Sequence, residues 1–80
     1  MDNYEFNLLS IGDQTGYTWE HGTYLAHRRE THFVINLYSV NNFFVEVWFN
    51  PEEIKINKIR SFKSRKCLEP YLDGIDLIIR

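Results

Sequence analysis

The sequence predicts an α+β domain: an antiparallel meander of about four strands with a C-terminal helix packed on one face. Three observations carry this. Runs rich in branched and aromatic residues fill the stretch from Tyr24 to Phe62. Those runs are separated by short turn signals, "NN" at 41–42 and "NPEE" at 50–53. Leu68, Tyr71, Leu72 and Ile75 then fall at i, i+3, i+4 and i+7, one apolar face of a helix.

In chain order, residues 1–23 read as an N-terminal helix and loop. Asp2 and Glu5 have capping-box spacing, and Tyr4, Leu8 and Ile11 share a helical face. Tyr4, Phe6 and Leu8 also alternate as a strand would; the helix is the reading taken. "IGDQTG", with two glycines and an Asp, reads as a loop.

Residues 24–62 form the meander. "TYLAHR" is the first strand, "RETH" a turn, and "FVINLYSV" the second strand. Asn41-Asn42 makes a tight hairpin, since Asn tolerates positive φ. "FFVEVWF" returns, Pro51 presets φ in the next turn, and the last strand runs from about Ile54 to Phe62. Pro70 has no N–H to donate, so it belongs in the first turn of the helix, which sets that helix at 66–75. "IDLIIR" ends the chain as an apolar tail over 76–80 that pairs at a sheet edge or packs on a neighbour.

The two-residue turn fixes the central register: 40 opposite 43, 38 opposite 45, 36 opposite 47 and 34 opposite 49. One face then carries Val34, Asn36, Tyr38, Val40, Phe43, Val45, Val47 and Phe49. The other carries Phe33, Ile35, Leu37, Ser39, Phe44, Glu46 and Trp48. Antiparallel sheets usually leave one face to water, but here both want cover. The single convincing amphipathic helix is assigned to the Val45, Val47 and Phe49 face. The second face is left to the N-terminal segment, the C-terminal tail or another molecule. Ile35, Leu37, Phe44, Glu46 and Trp48 are therefore the interface candidates, most simply for a second copy.

The stretch from Leu25 to Leu77 resembles a group of short bacterial hypothetical proteins that share "FFVEVWFNP", "IRSF" and "LEPYLDGIDL"-like motifs. The resemblance implies a free-standing small domain. The group carries no assigned function, so it supplies no catalytic residue.

At 80 residues there is room for one domain, which buries only about 60–65% of the surface its unfolded chain exposes. A net charge of −2 and a pI near 5.8 give no electrostatic reason to expect nucleic acid. Cys67 is the only cysteine, which suits a reducing cytoplasm. No apolar run nears the roughly 20 residues of a membrane span, and the N-terminus lacks the features of a signal peptide.

The candidate chemistry is sparse. A zinc site wants three or four ligands at tight local spacings, and His21, His27, His32 and Cys67 have none, so no metal or cofactor is expected. His27 and His32 flank the "RETH" turn; pairing 28 with 33 sets them diagonally on one face. Glu46 sits mid-strand among apolar groups, one way to make a general acid, yet nothing places a second acid or base beside it. A structural pairing with Arg28, Lys55 or a partner's cation fits it better. Cys67, flanked by Arg65 and Lys66, is either a reactive thiol or a small hydrophobe at the helix start, and the second is preferred. Lys55, Lys58, Arg60, Lys63 and Arg65 form a basic run with Phe62 interleaved, near Trp48 and Tyr24. This pattern fits a stacking platform for single strands or a charged edge that blocks aggregation. The functional expectation is a cytoplasmic, non-enzymatic interaction module that self-associates through the apolar sheet face. A weak nucleic-acid binder is second and a small enzyme third.

Overall fold

Four antiparallel strands pair in sequence order: β1 (Gly22–Arg29), β2 (Val34–Val40), β3 (Phe43–Asn50) and β4 (Lys55–Phe62). The computed structural model describes residues 1–72. The expected continuation of the C-terminal helix to residue 75 and the tail at 76–80 lie outside the described residues.

The central register is the one the turn dictates. Val40 faces Phe43, Tyr38 faces Val45, Asn36 faces Val47 and Val34 faces Phe49. Asn41 takes the positive φ, 53°, that the turn requires. The first hairpin differs from expectation. Glu30 and Phe33 exchange both backbone hydrogen bonds (2.9 and 3.3 Å), so Thr31 and His32 form the turn. Arg28 therefore pairs with Ile35 rather than with residue 33, and the register is two residues away from the expected one. A bulge at Leu25 follows, between the Tyr24–Tyr38 and Ala26–Leu37 pairs.

Two helices precede the sheet. α1 (Asn3–Asn7) opens on the expected capping box: Asp2 Oδ1 accepts from the Glu5 amide at 2.9 Å, and Glu5 Oε1 accepts from the Asp2 amide at 3.1 Å. α2 (Ile11–His21) replaces the expected loop over "IGDQTG". Ser10 caps it through the Asp13 amide at 3.1 Å, and Gln14 donates to the Phe6 carbonyl at 3.1 Å, tying it to α1. Propensity argues against this helix, with Gly12 and Gly16 inside it, so packing against the sheet decides the outcome. At its end the chain passes so close to the helix that a Cβ on Gly22 would lie 2.5 Å from the Thr18 carbonyl oxygen.

The covering of the two faces is the reverse of the expected one. Phe6, buried, packs on Val40, Phe43, Val45 and Val47, with Leu9 and Tyr17 beside it. The N-terminal helices therefore take the more apolar face. A 3-10 turn (Arg65–Leu68) and α3 (Glu69–Leu72) take the other, where Tyr71 joins Ala26, Leu37 and Phe62. The reason is area. The Val45 and Val47 face is apolar along its length and needs the larger cover, which α1 and α2 together supply. The C-terminal segment is short and polar enough to sit over a face with a carboxylate at its centre.

Candidate functional site

The alternation of β3 that points Val45 and Val47 at the helices points Glu46 the other way. Its side chain is fully buried. Arg60, its cross-strand neighbour on β4, donates to Oε1 at 3.0 Å. Arg28, reaching from β1, donates to Oε2 at 3.5 Å. The Tyr71 hydroxyl donates to Oε2 at 2.7 Å and the Trp48 indole to Oε1 at 3.4 Å. A buried carboxylate is tolerable only with such pairing.

Around this centre runs a row of cations and rings. Lys58 lies 4.4 Å from the Trp48 ring centroid, and Arg28 lies 5.5 Å from it and 5.4 Å from that of Tyr71. Burial works against the Arg28 charge, but Tyr71 and the carboxylates of Glu30 and Glu46 outweigh it and raise its pKa. Burial pushes the Tyr71 phenol well above its ordinary range, and Glu46 adds to the shift while Arg28 opposes it. The Nε of Arg28 is buried without a hydrogen-bond partner among the described residues.

This geometry relocates the sequence candidates. Ile35 and Glu46 are buried within the chain at 0% exposure, and Leu37, at 2%, reaches only the floor of a cleft along β1. Phe44 and Trp48 are half-buried, Phe44 stacked on Phe62 and Trp48 edge-on to Phe33. In the basic run, Lys55, Lys58, Lys63 and Arg65 are exposed, while Arg60 is committed to Glu46 and to Cys67 Sγ at 3.3 Å. Cys67 is half-buried against the C-terminal cluster. The histidines do not converge: His21 ends α2, His27 Nδ1 meets the Tyr24 hydroxyl at 2.8 Å, and His32 is exposed in its turn. Among the described residues no three His, Cys, Asp or Glu side chains come together as metal ligands.

What sequence reasoning missed lies along β1. An apolar cleft of ≈ 310 Å³ opens there, lined by Tyr24, Leu25 and Ala26 of β1, Leu37 of β2, and Leu68, Tyr71 and Leu72 of the C-terminal segment. On the opposite side of the sheet, Trp19 packs on Tyr38 (5.3 Å between centroids) and Tyr24 on Tyr38 (5.9 Å). The available signal was the apolar start of β1, "TYLA", beside the exposed ring of Trp19. A smaller hollow of ≈ 160 Å³ lies between the Glu30–Phe33 turn and Pro51–Glu52, below the usual range of ligand pockets. Comparison with protein-family models, curated proteins and solved structures found no match.

Proposed function

We propose that the chain is a small cytoplasmic, non-enzymatic interaction module that self-associates. One observation carries the reading: among the described residues, large apolar side chains stay exposed on both sides of the β1 edge. Trp19, Tyr24, Leu25 and Leu72 are 54, 51, 42 and 36% exposed. Three of the four belong to the cleft or its strand, so they form a margin rather than scattered residues. Aromatic and aliphatic anchors beside a pocket are what protein interfaces use. Gel filtration with light scattering tests the reading. A mass of twice 9.7 kDa at hundreds of micromolar supports it; a monomer throughout that range contradicts it.

The nucleic-acid reading retains one favourable feature, Lys58 over Trp48. That same cation already occupies the ring a base would stack on, and Glu46 neutralises Arg60. Single-stranded oligonucleotides should therefore bind more weakly than about 100 μM at physiological salt. Micromolar binding abolished by Lys58→Glu would reverse the order of the two readings. As for catalysis, both Glu46 oxygens are already taken by neighbouring donors and the carboxylate has no exposed surface.

A further inference from the structure

We infer that the β1 edge pairs with β1 of a second copy, antiparallel and about a two-fold axis near Leu25 and Ala26. The inference rests on the self-association reading above and assigns it a surface. Among the described residues, β1 and β4 are the two edges of the sheet. Edge strands are guarded by charge, lysine above all. β4 carries Lys55 and Lys58. The first five residues of β1, Gly22 to Ala26, carry no charge. An edge that carries no charge over its first five residues and lies beside an apolar cleft fits the arrangement that strand addition uses: main-chain hydrogen bonds along the edge and a pocket for side chains.

The occupant follows from the charge pattern of the strand itself. β1 is neutral at its start and basic at its end, with His27, Arg28 and Arg29. Antiparallel pairing about Leu25 and Ala26 lays each basic half against the partner's neutral half. Gly22 then meets the partner's Arg29. Glu20, two residues before Gly22 and exposed, comes into reach of that guanidinium. Among the described residues the arginine salt bridges involve Arg28 and Arg60, not Arg29. The two-fold axis makes this contact twice. The bulge at Leu25 interrupts the ladder there, so pairing runs in two short stretches on either side of the axis. It also breaks the alternation, so Leu25 joins Ala26 at the cleft with Tyr24 at its rim, which places Leu25 against the same apolar surface of the second copy.

The test is dimer dissociation measured by sedimentation on the full chain. Leu25→Lys, at an exposed position, should raise the dimer Kd about tenfold or more. Glu20→Arg and Arg29→Glu should each raise it about two- to fivefold, and together restore it. Lys58→Glu on the opposite edge should leave it unchanged. A dimer indifferent to all three β1-side changes overturns this surface and leaves self-association standing. A wild-type monomer at hundreds of micromolar overturns both. Dimerisation only in a chain ending at Leu72 would assign the cleft to residues 73–80 of the same chain and likewise overturn the inference.

Discussion

Glu46 holds together residues from three strands and the C-terminal segment, so its removal reaches further than any single contact. Glu46→Ala leaves Arg28 and Arg60 without their shared anion. Breaking a buried pair costs about 3–5 kcal/mol; the low end applies here because Arg60 can turn to solvent. Urea unfolding should show a loss of about 3 kcal/mol, and a loss under about 0.5 kcal/mol would mean the cluster holds nothing. Ile54 makes the opposite case. It is a β-branched residue at φ 54° and 78% exposed, so it carries backbone strain with little burial in return. Ile54→Asn should stabilise by about 0.5–1 kcal/mol and raise Tm by several degrees; a lower Tm would contradict this. Half of the Glu46 cluster was legible in the sequence. A carboxylate alternating with Phe44 and Trp48 has to find a cation, and Arg28 was one of those offered, with Lys55 and a partner's; the register that brings it into reach was not readable from the first turn. Arg60 read as an edge charge because the register between β3 and β4 is not set by a two-residue turn and slips at Trp48 and Phe49. Tyr71 was hidden because its partner depends on which face the C-terminal segment covers.

That segment, from the 3-10 turn to α3, is the element most dependent on one bond. Its only fully buried residue is Tyr71, anchored through the hydroxyl to Glu46. Tyr71→Phe should cost about 1.5–3 kcal/mol, the worth of a hydrogen bond to a charged group. The effect should appear first as faster exchange of the Cys67 amide, which bonds the Ser64 carbonyl at 3.2 Å. Equal acceleration in β2 and β3 would show that the segment does not open separately. The raised phenol also fixes a pH response. Folding keeps the proton on Tyr71 where the unfolded chain has lost it, so its contribution is full below pH 10, the unfolded value, and is lost as pH climbs above that towards the folded one. Tyr71→Phe should flatten that alkaline slope; an unchanged slope would assign it to other groups. At this scale the strands and the central register were readable from turn chemistry and period two. α2 was not. Two glycines and two threonines argue against a helix, and what holds it, besides its cap, is the packing of Tyr17 and of the buried Thr18 against the sheet and the approach permitted by Gly22. Gly22→Ala should therefore cost about 1–3 kcal/mol, since the obstacle is backbone rather than a movable side chain.

The described residues form a slab of 33 × 32 × 19 Å, a sheet with cover on both faces. Sequence periodicity correctly required that cover and placed a helix near the N-terminus as well as at the C-terminal segment, but it read α2 as a loop and assigned the more apolar face to the C-terminal helix. With Ile35, Leu37 and Glu46 enclosed, what the sheet has left to offer is its edges, and only β1 is apolar along its start. No helix among the described residues is long and apolar enough to cross a membrane. The central claim is that β1 is the working surface, and amide hydrogen exchange across a concentration series tests it most directly. Between about 10 μM and several hundred micromolar, the outward amides of β1 should slow about tenfold or more while those of β4 stay constant. Exchange in β1 that ignores concentration, or protection that arises at β4 instead, would contradict the account.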